Sequence, residues 1–390
     1  MSLSLLDLEH QLDMLLVRPR VTAETSAALL IMATRWSEAV WAAAEAAGPL
    51  ELGKAEVQRG LEVAHHPVFV CGAHRSGTTL VRDLLDSHPA LAVLPSEGTF
   101  FTNFERHLER LRPDGWLPFL GREWLRRLAN PIHQHPYWLL GRSSQDRSSY
   151  VTFARSLMAW WPLARERVGC GASSWPLVAV ALAYGHCTGG FSAGSNLLLW
   201  AEKTPTNERF LDRLRTEFPD ARLIHVVRHP FAVYASHKQA AQEAGERFRE
   251  ARRVVQDLVL SYRVAAEHSR RGPANDYLLI RYEDLLDSTR STVDGLAAFL
   301  RIEPLPILMQ PTVAGLPAAS NSSFIIGAAP GRIHPAVQRR WADTLTHSDR
   351  EHLATAVGDA AASLGYDLTP VAPWRARLLR LATRATSRFP

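Results

Sequence analysis

Val68-Phe-Val-Cys-Gly-Ala-His-Arg-Ser-Gly-Thr-Thr-Leu80 reads as a buried strand, a glycine-bounded loop and a helix start. That arrangement turns several backbone N–H groups toward an anion. Gly72 and Gly77 keep the glycine spacing of the nucleotide-binding pattern GxxxxGK[ST], and Thr79 fills its last position, but Thr78 stands where the lysine belongs. The missing lysine is the one that reaches the β- and γ-phosphates of a nucleoside triphosphate. Nor does an apolar run end in the Asp that would supply a second magnesium ligand: Leu223–Val227 runs into Arg228. The loop therefore fits a donor with a single 5′-phosphate and a transferable group, with Arg75 supplying charge.

Downstream of this unit, short apolar runs alternate with helical stretches. After a helix over 78–86 come Leu91–Leu94, Leu197–Trp200, a helix near 207–218, Leu223–Val227, helices across 230–270, Leu278–Ile280 and a helix near 288–300. The alternation predicts an α/β fold, a P-loop-type parallel sheet flanked by helices. Residues 1–62 read as a helical extension, with Leu5, Leu8, Leu12 and Leu15 at helical spacing and an alanine-rich stretch ending at Gly48-Pro49. The main domain is placed at 63–370. Within it, residues 105–195 break the rhythm and carry Trp116, Trp124, Trp138, Trp160, Trp161 and Trp175. They read as a mostly helical cap insertion, where α/β proteins place specificity.

Composition narrows the function classes. The 390 residues are 46% hydrophobic and 21% charged, which excludes a disordered or collagenous chain. Cys71, Cys170 and Cys187 are too few for a disulfide framework and lack metal-ligand spacing, so no metal is expected and a cytoplasmic location is the default. Asp7, Glu9 and Asp13 among the first leucines argue against a signal peptide, and no run reaches the roughly 18–20 apolar residues of a membrane span. The net charge of +5 sits in the tail, because Arg375, Arg377, Arg380, Arg384 and Arg388 follow the last acidic residue, Asp367. A neutral body argues against nucleic acid as a partner. The tail, residues 371–390, reads as a basic amphipathic stretch suited to weak contact with an anionic membrane surface. Lysine occurs only at Lys54, Lys203 and Lys238 among 44 Lys and Arg residues, which makes its placement informative.

Three more segments lie at strand ends. Trp200-Ala-Glu-Lys-Thr-Pro-Thr-Asn207 puts Lys203 just after an apolar strand, facing the ligand crevice. Leu223-Ile-His-Val-Val-Arg-His-Pro-Phe-Ala-Val-Tyr-Ala-Ser236 ends a strand at Arg228 and starts a helix at Pro230, so that Arg228 and Ser236 can converge on one phosphate. Leu278-Leu-Ile-Arg-Tyr-Glu-Asp-Leu285 leads from a strand into a polar turn.

With these four motifs the chain, over roughly residues 66–345, resembles the sulfotransferases that use 3′-phosphoadenosine 5′-phosphosulfate (PAPS), in the branch of tyrosylprotein sulfotransferases and many bacterial relatives. The resemblance implies that Arg75, Ser76, Gly77, Thr78, Thr79 and Lys203 hold the 5′-phosphosulfate. It places Arg228 and Ser236 on the 3′-phosphate, with Tyr282 in the donor site. The Arg/Lys-Gly clamp of the cytosolic branch is missing, and Arg332 or Arg340 is proposed to stand in for it. Glu97 matches the branch's catalytic glutamate, and partial burial is expected to raise its pKa toward neutrality. His133, His135 and His186 are reserve bases, while His74, His88, His225 and His229 read as structural or phosphate-adjacent. The product would be adenosine 3′,5′-bisphosphate. The aromatic residues of the cap, Phe119, Tyr137, Tyr150 and Phe153 with the tryptophans, imply a small or medium-sized apolar acceptor: a hydroxylated lipid, polyketide or other secondary metabolite. A homo-oligomer is a candidate assembly. Two alternatives stay open, a P-loop small-molecule or nucleotide kinase and a non-catalytic nucleotide-binding protein.

Overall fold

The computed structural model describes residues 4–16, 23–131, 137–140, 148–168, 173–272, 274–319, 329–334, 341 and 344–368. Three helices precede the first strand: α1 (Leu5–Leu16), α2 (Ala23–Ala47) and α3 (Lys54–Ala64). Strands β1 (Pro67–Cys71), β2 (Leu91–Glu97), β3 (Leu199–Lys203), β4 (Arg222–Val227) and β5 (Tyr277–Arg281) form one parallel sheet in the order β2-β3-β1-β4-β5. From β1 the chain steps to the β2–β3 side, and from β3 it crosses to β4. The carboxyl ends of β3, β1 and β4 thus border the switch point where open α/β sheets bind ligands.

Between the strands run α4 (Thr78–Leu85), α5 (Glu105–Leu108), α6 (Trp116–Ala129), α7 (Ser148–Arg167), α8 (Trp175–Cys187), α9 (Leu211–Glu217), α10 (Pro230–Glu243) and α11 (Ala251–Arg271). After β5 come α12 (Tyr282–Asp287), α13 (Thr289–Leu300), a hairpin of β6 (Thr312–Val313) and β7 (Leu316–Pro317), and α14 (His347–Ser363). Strand side chains alternate between two cores. Val68, Val70, Leu199, Ala201, Ile224 and Val226 join α4, α12 and α13 on one face, whereas Phe69, Ala92, Leu94, Trp200 and Leu223 join α1–α3 and α6–α8 on the other. Because both faces are covered, the strands read as continuous apolar runs.

One expectation is corrected. The third strand starts and ends later than Leu197–Trp200, because Glu202 and Lys203 lie inside β3, where both are buried. Of the cap tryptophans, Trp124, Trp138 and Trp160 are buried, while Trp116, Trp161 and Trp175 are half-buried. Trp124 and Trp160 are fully buried, Trp138 stands edge-on to Trp36 at 5.1 Å, and Trp175 meets Trp161 at 4.5 Å and Trp116 at 6.2 Å. Tyr150 and Phe153 are buried with them. The cause is the N-terminal extension: Leu8, Leu12, Trp36 and Trp41 share one core with α6, α7 and α8, so extension and cap bury each other's aromatic faces.

Candidate active site

The turn from β1 into α4 is fixed by backbone geometry. Gly72 (φ 139°) and Gly77 (φ 104°) occupy conformations open to glycine, and a side chain at either would collide, with the Val226 carbonyl and the Tyr282 ring respectively. Arg75 between them is also left-handed, at φ 68°. The Gly72 amide donates to Glu208 Oε2 at 3.0 Å and the Ser76 amide to the Ala73 carbonyl at 3.0 Å. The first bond inside α4 runs from the Val81 amide to the Gly77 carbonyl at 3.3 Å. The amides of residues 77–80 consequently have no partner within the helix and point into the loop. Ser76 Oγ is buried without a hydrogen bond among the described residues.

Beside the loop, β2 and β3 end on a charged pair. Glu97 and Lys203 are register partners, and Lys203 Nζ donates to Glu97 Oε1 at 2.6 Å. Lys203 is 4% exposed and the Glu97 side chain 38%. Burial pushes the Glu97 carboxyl up, but the Lys203 ammonium, with smaller help from His74 and Arg127, outweighs burial and holds it below the ordinary value. The expectation of a raised pKa is thus corrected, because sequence reading did not supply the cation. Burial in turn lowers the Lys203 ammonium against the opposing pull of Glu97. Arg82 of α4 closes the rear of this cluster, donating to the Pro95 carbonyl at 2.6 Å and to Asp83 at 2.7 Å.

On the other side, Arg228 follows β4 and is 6% exposed. Its Nη1 donates to the Arg75 carbonyl at 3.1 Å, its guanidinium lies 4.5 Å from the Tyr282 ring centroid, and its Nη2 is buried with no hydrogen bond among the described residues. Tyr282 thereby supports both Gly77 and Arg228 from below. Ser236 is buried on α10, and its neighbour His237 makes a 3.3 Å hydrogen bond to the His74 carbonyl, which ties that helix to the loop. Burial, then Arg75, lowers the His237 imidazole to about 4. His229 stacks on Trp341 at 5.1 Å, and burial followed by Arg228 lowers its imidazole to about 4.

The model of the sulfotransferase family matches residues 67–306, the span that contains the loop, the Glu97–Lys203 pair and Arg228. The chain belongs to this family. A search of curated proteins finds no match. Among solved structures, this sulfotransferase is similar to the sulfotransferase domain of the Synechococcus PCC 7002 olefin synthase, at 21% identity over 78% of this chain and 95% of that one, with a TM-score of 0.44. The sulfotransferase domain of the curacin biosynthetic pathway gives 19%, 77%, 98% and 0.44, and sulfotransferase STF9 from Mycobacterium avium gives 13%, 94%, 97% and 0.39. At these TM-scores the likenesses add nothing to the family assignment. The kinase alternative is left without support.

The structure brings Arg75, Ser76, Gly77, Thr78, Thr79, Arg228 and Tyr282 together around the loop, with Lys203 and Glu97 alongside and α10 bearing Ser236 against it. Arg332 is exposed and makes no hydrogen bond to the loop among the described residues; the preceding Gly331 amide donates to the Ala318 carbonyl at 2.8 Å, beside the β6–β7 hairpin. That hairpin is fastened to Asp86 by Thr312 and Gly315, each at 2.8 Å, at the end of α4 away from the loop. Arg340, His133, His135, Cys170 and the basic tail lie outside the described residues. His225 is structural, between Tyr277 at 2.6 Å and Ser261 at 2.8 Å, as is His88, bonded to the Glu303 carbonyl at 2.9 Å. His186 Nδ1 is buried on α8 without a hydrogen bond among the described residues. Sequence reasoning missed Glu202, Glu208, Arg127 and His237. Only Glu202 gave a signal, as an acid beside Lys203. Among the described residues, no cluster of His, Cys, Asp or Glu is placed to hold a metal, and no helix is long and apolar enough to cross a membrane.

Proposed function

We propose that this sulfotransferase transfers a sulfuryl group from PAPS to a hydroxyl of a small-molecule acceptor. The observation that carries the reading is a pair of buried polar groups that make no hydrogen bond among the described residues: Ser76 Oγ, on the loop that lacks the triphosphate-binding lysine, and Arg228 Nη2, beside that loop. Buried donors are rarely left unmade, so both fit a group bearing phosphate oxygens. When bound, the donor supplies a sulfuryl group on a phosphate leaving group.

The chain's own residues do the rest. The amides of residues 77–80 and the Arg75 guanidinium oppose the charge that grows on the departing phosphate. Arg228, with Ser236, holds the 3′-phosphate and thereby orients the nucleotide. Lys203 keeps Glu97 ionised before reaction. As Lys203 turns its charge toward the phosphate, its hold on Glu97 weakens and burial raises the basicity of the carboxylate, which takes the acceptor's proton. Glu97 is the more open partner of the pair, as a group that meets an incoming acceptor must be.

The test is a calorimetric comparison of adenosine 3′,5′-bisphosphate with adenosine 5′-monophosphate. A charge-assisted contact contributes roughly 1.5–3 kcal/mol, so the bisphosphate should bind about 10- to 100-fold more tightly. Arg228→Ala should remove most of that preference. Equal binding of both nucleotides to the unmodified protein would overturn the donor assignment.

A further inference from the structure

Glu202 is 1% exposed inside β3, on the face of the strand opposite Lys203. Its Oε2 accepts from the Gly98 amide at 3.1 Å and from the Thr204 hydroxyl at 2.7 Å, and its Oε1 accepts from the Asn207 side-chain amide. The Thr204 hydroxyl accepts in turn from the Thr99 amide at 2.8 Å. One buried carboxylate therefore joins the segment after β2 to the segment after β3. The approach is so close that a side chain at Gly98 would collide with it.

Both segments carry a β-branched residue in the left-handed region, Thr99 at φ 48° and Thr206 at φ 69°. Threonine rarely adopts that conformation, and it persists only where the surroundings over-determine it. From the cap, Arg127 adds a second fastening, donating to the Glu97 carbonyl and, at 2.8 Å, to Thr99 Oγ1. The strained segment begins at the residue after Glu97. Burial pushes the Glu202 carboxyl up to about 7 despite these hydrogen bonds, so an acid is kept here against its desolvation.

We propose that Glu202 is a positioning residue for the transfer reaction: by holding the Gly98 and Thr99 segment against β3 it keeps the Glu97 carboxylate opposite Lys203. The inference rests on the role of Glu97 proposed above. Leucine at position 202 would leave the Gly98 amide and the Thr204 hydroxyl without the oxygen that accepts from both, so the segment would be released.

The experiment compares the unmodified protein with Glu202→Leu by hydrogen exchange over residues 97–101, by adenosine 3′,5′-bisphosphate affinity and by PAPS turnover. Exchange should quicken at least about tenfold. The kcat should fall about 10- to 100-fold, as a small misplacement of a reacting group does, while nucleotide affinity stays within about twofold. Thr204→Val keeps Glu202 and its bond from the Gly98 amide but removes the hydroxyl that joins Glu202 to Thr99, and should shift exchange and kcat in the same direction by a smaller factor. It also guards against a Glu202→Leu protein that fails to fold. Unchanged exchange and kcat in the folded variants would overturn the proposal, as would a loss of nucleotide affinity in parallel with kcat. An unmodified protein that turns over no PAPS would overturn the role of Glu97, whereas the exchange comparison decides on the clamp by itself.

Discussion

Replacing Lys203 by Met and Glu97 by Gln, singly and together, isolates the pair on which the base proposal depends. At 2.6 Å from Nζ to Oε1 the contact is a charge-assisted hydrogen bond, worth roughly 1.5–3 kcal/mol where water is excluded. The Glu97 side chain is 38% exposed, so solvent screens part of this and the coupling is about 1–2 kcal/mol. Urea denaturation of the four proteins closes the cycle and cancels the separate costs of each substitution. The sign of the pH dependence follows from Glu97, whose folded pKa is depressed below its ordinary 4.5. Its stabilisation is present above the ordinary value and is lost as pH falls through the lower folded value. The coupling should therefore hold at neutral pH and vanish in acid. A coupling under about 0.3 kcal/mol at neutral pH, or one that survives full protonation of the carboxyl, would refute the reasoning.

Two other substitutions probe the loop. Gly77→Ala places a methyl group against the Tyr282 ring at φ 104° and should cost about 1–3 kcal/mol, with weaker bisphosphate binding; adding Tyr282→Leu should recover part of both, as read by thermal melts and calorimetry. Glu208 is buried against the Gly72 amide, and burial raises its carboxyl from 4.5 to about 7. A raised carboxyl contributes stability that is present below the ordinary value and lost as pH rises through the folded one. Glu208→Gln should therefore match the unmodified protein near pH 5 and exceed it by about 2–3 kcal/mol near pH 8; an equal difference at both pH values would contradict this.

The loop was legible in the sequence because its two glycines mark conformations that other residues rarely take and because an apolar run precedes them. The strand order was not, since it depends on which runs pair. β3 was misplaced because apolarity was the guide, and its carboxyl end carries Glu202 and Lys203, buried only because their partners come from β2 and the facing loops. The state of Glu97 was illegible for the same reason: its controlling cation is 106 residues away in the chain. Which cap tryptophans are buried was not legible, because a sequence does not say which neighbour covers an aromatic face. Here the N-terminal helices do, through contacts such as Trp36 with Trp138 and Tyr150. The left-handed Thr99 and Thr206 left no trace in composition or periodicity.

The most direct test of the central claim is incubation of the protein with radiolabelled PAPS and a panel of hydroxylated small molecules, followed by mass analysis. Transfer of label to an acceptor with a mass gain of one sulfo group, release of adenosine 3′,5′-bisphosphate, and loss of both in Glu97→Gln by about 10²–10⁴-fold are the predicted results. Tight bisphosphate binding with no transfer to any hydroxyl, or full activity in Glu97→Gln, would contradict the account.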